Sequence, residues 1–255
     1  MISFDNIPQD KLLARIREKI ADGRILALLE KFLRQGVMET ARGWTPTENG
    51  TPQGAVISPL LANAYLDPLD HLMAGRVREM IRYADDFVIM CRSEAEAREA
   101  LAEVQAWMAA AGLTLHPEKT RIVDATVKGG FDFLGWHFER GYRWPREKSQ
   151  CRFKETIRQH TRRNNGHSLG VIIQRVNRTI RGWGNYFQGG VRNVPERLDQ
   201  WMRMRVRSIL RKRDKRKGRG RGRDHQRYPN AFLIRAGLTF LITVTHPGHP
   251  APPKT

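Results

Sequence analysis

Cys91 and Cys151 are the only cysteines in 255 residues, too few for a disulfide framework or a four-ligand zinc site. Both are expected to sit reduced in the cytoplasm. Long apolar runs are missing too. Residues 231–245 come nearest, but Arg235 interrupts them, and a bilayer span needs about 18 apolar residues. The opening MISFDNIPQDKLLARIREKI contains no unbroken apolar core of a secretory signal. Acidic residues are scarce in one half only. Residues 131–255 hold 8 Asp and Glu against 29 Lys and Arg, net +21, whereas residues 1–130 hold 18 against 16, net −2. A near-neutral half joined to a polycation argues for a polyanionic partner, because each cation placed at a phosphate releases counterions. A lipid-surface protein would show an apolar stripe. Here the positive charge lies among Gly, Asn, Gln and aromatics, which suits RNA better. At 40% apolar and 28% charged residues the chain is not disordered as a whole, and its length suits one large domain or two modest ones.

Leu12, Leu13, Ile16 and Ile20, then Ile25, Leu26, Leu29, Phe32 and Leu33, recur at helical spacing, with Asp22 as a cap between them. Residues 40–57 are rich in Gly and Pro and read as a loop. Ser58-Pro59 opens a helix that Pro68 should kink. Two short apolar runs around Asp85-Asp86 predict a tight β-hairpin with both carboxylates at its tip. Ser93 with Glu96 is a capping box for a helix closed by Gly112. Strands are predicted over 121–127 and 131–138. Beyond Gly141 the chain reads as helical and basic, with starts at Ser168 and Pro195. The pattern is α+β: residues 1–140, then a helical segment 141–213, then a basic Arg/Gly-rich tail 214–255 that should stay mobile until phosphates neutralise it.

Adjacent carboxylates on a hairpin tip repel, so they need a cation or a solvated surface. A divalent metal supplies that cation, and carboxylates on a rigid turn suit two-metal phosphoryl transfer. An exposed acidic turn is the plain alternative. Gly50-Thr51-Pro52-Gln53-Gly54 lets backbone approach a ligand, with Gln53 as donor and acceptor, although alone it reads as an ordinary loop.

GTPQGAVISPLLANAYLDPLD, YADDFVIM, GLTLHPEKTRIV and FDFLGWHF resemble four successive motifs of reverse transcriptases. VIIQRVNRTIRGWGNYF and the basic segment after it resemble the thumb, or maturase domain, of bacterial group II intron-encoded proteins without an appended nuclease. The resemblance implies a partial palm of antiparallel sheet with helices, followed by a helical thumb. It implies RNA-directed DNA synthesis together with intron RNA binding and splicing assistance. Asp85 and Asp86 match the ligands of catalytic Mg2+. Lys119 matches a lysine near the nucleotide phosphates that could protonate the leaving pyrophosphate. Gln53, Gly54, Tyr83 and Ala84 match positions touching nucleotide, template and primer end. Phe133, Leu134, Gly135 and Trp136 match the primer grip. By their residues alone, Lys119 reads as a surface lysine and Trp136 as a core aromatic.

Helical spacing puts Arg175, Arg178 and Arg181 on one flank, and Arg203, Arg207 and Arg211 on another, as candidate RNA contacts. Trp183, Tyr186 and Phe187 could stack on bases but suit core packing better. The implied partners are group II intron RNA, a DNA primer or target, deoxynucleoside triphosphates and a separately encoded N-terminal half. No membrane is implied, and the setting is a bacterial cytoplasmic ribonucleoprotein. One departure stands out. The family's stretch resembling Asp-Ile-Lys-Gly-Phe-Phe-Asp-Asn-Ile survives here only as Phe4-Asp5-Asn6-Ile7. Asp5 aligns with its second Asp, and the metal-binding Asp would fall before Met1. The expectation is an N-terminally truncated copy, a split-gene half or a misannotated start, with negligible primer extension by this chain alone. The alternative is a non-enzymatic RNA-binding maturase remnant.

Overall fold

The computed structural model describes residues 7–35, 37–39, 43–45, 56–76, 78–218 and 222–248. The chain forms two compact units, Met1–Asp124 and Ala125–Thr255.

In the first unit, α1 (Gln9–Lys19) and α2 (Gly23–Arg34) meet at the expected break. Asp22 caps α2, its carboxylate accepting from the amides of Arg24 (2.7 Å) and Ile25 (3.4 Å). Strands β1 (Val37–Glu39) and β2 (Gly43–Thr45) pair antiparallel. In α3 (Ser58–Gly75) the N-cap is Ile57, so Ser58-Pro59 lie one place further in than expected, and Pro68 is held inside the helix. Strands β3 (Glu79–Tyr83) and β4 (Asp86–Met90) form the hairpin, and α4 (Glu94–Ala110) follows. The Ser93 hydroxyl accepts from the Glu96 amide at 3.2 Å, and the Glu96 carboxylate accepts from the Arg92 amide at 2.7 Å. Gly112, at φ 72, ends the helix in the left-handed conformation. Leu12, Leu33, Leu66, Leu69, Met73 and Met108 form the buried centre, with Met80, Phe87 and Ile89 of the hairpin packed against it.

The second unit opens on a three-stranded antiparallel meander: β5 (Phe131–Phe133), β6 (Trp136–Glu139) and β7 (Tyr142–Pro145). Helices α5 (Glu147–His160), α6 (Leu169–Tyr186) and α7 (Asn193–Arg213) follow, then the short α8 (Arg223–Arg227), α9 (Asn230–Arg235) and α10 (Leu241–Thr245). Ser168 caps α6 by accepting from the Val171 amide, and α7 begins two residues before Pro195. Ile172, Val176, Ile180, Met202, Val206, Leu233 and Leu241 share one core. α10 sits so close to α6 that a Cβ on Gly184 would lie 2.7 Å from Val244 Cγ1.

Four expectations change. Residues 121–127 form no strand; Ile122 and Val127 remain 40% and 50% exposed, so no buried edge rewards pairing. Residues 131–138 are two strands, because Leu134 and Gly135 (φ 47 and 84) make a two-residue hairpin turn. A third strand lies at Tyr142–Pro145, where helix was expected. The segment after residue 213 is not a loose tail among its described residues. Buried Asp224 pairs with Arg211 at 2.7 Å, and Leu233, Leu238, Leu241 and Ile242 enter the core. Within the second unit the meander packs onto the helices through Trp136, whose ring meets Phe187 edge-on at 4.9 Å.

Candidate functional site

The β3–β4 hairpin closes with Tyr83 opposite Asp86, so the two-residue turn is Ala84-Asp85. This corrects the expectation of both carboxylates at the tip: Asp86 is the first residue of β4. Cross-strand partners share a face, so Asp86 stands with Tyr83, Ile81 and Val88, while Met80, Phe87 and Ile89 turn to the core. Tyr83 is 67% exposed and Ile81 47%. Ala84 has φ 55, a conformation that costs a residue with a Cβ roughly 1–2 kcal/mol.

Arg82 holds the turn. Its Nη1 donates to the Ala84 carbonyl (3.1 Å) and to Asn63 Oδ1 (2.8 Å), its Nε donates to Asp70 Oδ1 (2.8 Å), and its Nη2 donates to Asp70 Oδ2. Asn63 and Asp70, seven residues apart, lie on one face of α3. Sequence reasoning missed this clamp, although that spacing was the available signal. Asp85 and Asp86 are both half-buried. Burial pushes the Asp85 carboxyl above the usual range and the charge of Asp86 adds to it, while a backbone hydrogen bond and Lys119 pull the other way. Lys119 itself is exposed, in the turn after α4.

In the second unit, the Leu134-Gly135 turn is fixed from three directions. Tyr186 Oη donates to the Leu134 carbonyl (2.6 Å), and Ser149 Oγ and the Arg146 amide both donate to the Gly135 carbonyl at 2.9 Å. Trp136 is 8% exposed and Phe133 half-buried. Phe187 is buried among Trp136, Trp183 and Tyr186. Trp183 meets Phe153 at 4.9 Å with the rings tilted by 45°, in the same core.

The two arginine rows differ. Arg175, Arg178 and Arg181 are exposed along α6. The row on α7 does not form an open RNA face, which corrects that expectation. Arg207 is 2% exposed and donates to the Tyr228 carbonyl and Asn230 Oδ1, both at 2.8 Å. Arg203 lies 5.2 Å over the Phe240 ring, and Arg211 is committed to Asp224 and the Lys217 carbonyl. Helical spacing put the row on one flank correctly, but α8–α10 cover that flank.

Residues 3–138 match the family "Reverse transcriptase (RNA-dependent DNA polymerase)", more than half of the chain. The chain belongs to the reverse transcriptase family. Residues 150–228 of the chain match the group II intron maturase-specific domain. The chain is similar to Protein YkfC of Escherichia coli (29% identity over 68% of this chain and 53% of that protein). It is also similar to the group II intron-encoded protein LtrA of Lactococcus lactis (46% over 26% of this chain and 11% of that one). A third relative is the mitochondrial nuclear intron maturase 2 of Arabidopsis thaliana (33% over 55% and 18%). The matches span from about a tenth to about half of these relatives' own lengths.

Reverse transcriptases generally use a divalent metal. Asp85 and Asp86 fit such an ion. They are hard oxygen donors, side by side, and burial with the neighbouring charge pushes one towards protonation, a cost that a bound cation relieves. Among the described residues no third acid, His or Cys joins them. The structure thus brings together Tyr83, Ala84, Asp85 and Asp86, with Lys119 acting on Asp85 through its charge. Phe133–Trp136 and the α6 arginines belong to the other unit. Gln53, Gly54 and Asp5 lie outside the described residues, and no described helix is long and apolar enough to cross a membrane.

Proposed function

We propose that this chain is the palm-and-maturase portion of a group II intron-encoded reverse transcriptase, acting in RNA-directed DNA synthesis and in binding its intron RNA for splicing. The carrying observation is the clamped turn with two adjacent, half-buried carboxylates, one of them raised by burial and by its neighbour. Asp85 and Asp86 would hold Mg2+, which supplies Lewis-acid stabilisation of the charge developing in phosphoryl transfer. Tyr83 and Ala84 support the primer end and template, Lys119 protonates the departing pyrophosphate, and Phe133–Trp136 guide the primer. Arg175, Arg178 and Arg181 contact intron RNA phosphates. Substrates are accordingly deoxynucleoside triphosphates, an RNA template and a DNA primer.

The test is Mg2+-dependent primer extension on an RNA template by the chain fused to a family-type Asp-Ile-Lys-Gly segment, with Asp85→Asn alongside. Extension should fall by at least about 100-fold in the variant, as expected when a group that stabilises transition-state charge is lost. RNA affinity should stay within about twofold, because the altered charge lies outside the basic unit. Activity retained by Asp85→Asn would refute the assignment. A second reading, RNA binding without polymerisation, is favoured by the absence of a third metal-ligating side chain among the described residues. It expects salt-dependent RNA binding and no extension.

A further inference from the structure

An open cleft of about 850 Å³ lies in the second unit, between β7, the turn joining α6 to α7, and the residues after α10. Three hydrogen bonds stitch these segments into one wall. The Val191 amide donates to the Arg143 carbonyl (3.0 Å), the Gly189 amide to the Thr245 carbonyl (3.1 Å), and His246 Nε2 to the Gly190 carbonyl (2.7 Å). The cleft is therefore built from rigid parts. Its shape also depends on glycine: a Cβ on Gly190 would lie 2.8 Å from the Trp136 ring and 3.0 Å from the Arg143 carbonyl.

The chemistry of the lining is one-sided. Arg143 and Arg192 are both exposed, neither forms an ion pair among the described residues, and no carboxylate lines the cleft. Arg143 is held by stacking, its guanidinium 4.8 Å above Trp136 and its Nη2 donating to the Gln188 carbonyl at 3.3 Å. Its remaining N–H groups are available to a ligand. His246 is a wall and not a ligand: its Nε2 proton is used on Gly190, and Nδ1 contacts Thr245 Oγ1 at 3.0 Å. Two guanidiniums in a preformed cleft with no acid among its described lining residues recognise phosphate, which each can grip through two parallel N–H bonds. The volume falls within the roughly 300–1,000 Å³ of small-molecule sites, enough for a nucleotide with its flanking phosphates and more than a lone anion needs. An open cleft admits a polymer passing through. The exposed row Arg175, Arg178 and Arg181 runs along α6, the helix that leads into the Gln188–Arg192 turn.

We propose that this cleft binds the phosphodiester backbone of an RNA strand, with Arg143 and Arg192 each engaging a phosphate. The proposal rests on the RNA-binding reading above and assigns that reading a specific site. It makes Arg143 and Arg192 larger contributors than their share of the chain's positive charge.

The experiment is a salt titration of the full chain binding a fluorescein-labelled oligouridylate by anisotropy. It compares wild type with Arg192→Glu, Arg143→Gln and, as a control, Arg98→Ala, which removes a cation paired to Glu94 in the first unit. Both cleft variants should weaken binding about threefold to tenfold. Each should also lower the slope of log affinity against log salt by about 0.7 for every phosphate no longer neutralised, the single-strand value. Arg98→Ala should change neither. Arg192 is exposed, so its variant carries the test if Arg143→Gln, which also unstacks Trp136, fails to fold. Steep salt-dependent binding unchanged in Arg192→Glu refutes the cleft and leaves the RNA reading intact. An equal drop in Arg98→Ala also refutes it, because bulk charge would then be the cause. If the cleft variants lose inorganic phosphate binding but hold the oligouridylate as tightly as wild type does, the cleft is a free-anion site and the RNA proposal is overturned. No salt-dependent binding by wild type overturns both readings.

Discussion

Replacing Arg82 tests whether the Ala84-Asp85 turn is held from α3 or by its own strands. Its side chain is 11% exposed and donates to three acceptor groups: the Asp70 carboxylate, the Asn63 amide oxygen and the Ala84 carbonyl. A hydrogen bond involving a charged group contributes about 1.5–3 kcal/mol when desolvated. Asp70 is 37% exposed, so its share is closer to about 1 kcal/mol. Adding the bonds to Asn63 and Ala84, Arg82→Ala should loosen the hairpin by about 2–3 kcal/mol. Arg82→Lys, which offers a point charge in place of a planar fork, should recover less than half of that. Ala84→Gly should act oppositely, tightening the turn by about 0.5–1 kcal/mol as the positive φ ceases to be strained. The assay is amide hydrogen exchange across residues 79–90. A loss of about 2 kcal/mol corresponds to roughly thirtyfold faster exchange through local opening. Exchange in Arg82→Ala within about threefold of wild type would show that strand pairing alone fixes the turn, and the clamp argument would be wrong.

Gly184→Ala should destabilise the second unit by about 1–2 kcal/mol in thermal unfolding, since overpacking against Val244 outweighs the gain in helix propensity; an unchanged or raised melting temperature would refute that. Arg207→Ala should cost about 2–4 kcal/mol, because it leaves the Tyr228 carbonyl and Asn230 without their buried donor, whereas Arg175→Ala should leave stability within about 0.5 kcal/mol and lower the RNA salt slope. Thermal unfolding beside an RNA salt titration separates the two, and the reverse pattern would overturn the division between structural and exposed arginines. Asp199 gives a pH dependence: burial raises its carboxyl from 3.8 to about 6 despite hydrogen bonds from the Leu241 and Ile242 amides. The folded state therefore holds this proton more tightly than the unfolded chain, so stability is fullest below about pH 4 for this group and declines as pH rises to about 6, by up to about 3 kcal/mol. Asp199→Asn should flatten that part of the profile, and an unchanged decline would refute the assignment.

The helices were legible because their signals are local. Asp22, Ser93 with Glu96, Ser168 and Gly112 mark ends through contacts within a few residues, and each acts in the structure as its chemistry suggests. The hairpin at 79–90 was legible for a similar reason, since two apolar runs around a short polar turn admit few alternatives. Its tip was misplaced by one residue because Ala84, with no turn-forming signature, takes the left-handed position usually given to Gly or Asn. Residues 121–127 failed differently. Their alternation suits a strand, but strand formation depends on a partner edge, which no local pattern reports. The same limit hid the Arg82 clamp, whose acceptors lie 12 and 19 residues away.

Charge misled most. Ten Lys and Arg within residues 211–227 suggested a mobile polycation, on the argument that such a segment cannot bury a core. Two features of the fold defeat that argument. A single buried acid, Asp224, draws Arg211 to 2.7 Å and Arg216 to 3.9 Å, while Asp214 takes Arg227 at 3.1 Å and the Tyr228 hydroxyl at 2.5 Å. The apolar residues just beyond, Leu233, Leu238 and Leu241, then anchor the segment from its far side. An average over composition treats these two acids as noise, whereas in the fold they decide where the arginines go. Arginine can be used this way because its stem packs as hydrocarbon and its fork satisfies several carbonyls at once. Net charge therefore overstates the surface offered to RNA: Arg207 and Arg211 count towards +21 yet are occupied internally. Among the described residues Arg143 and Arg192 are exposed and form no ion pair, which under the proposed RNA reading gives them weight beyond their number.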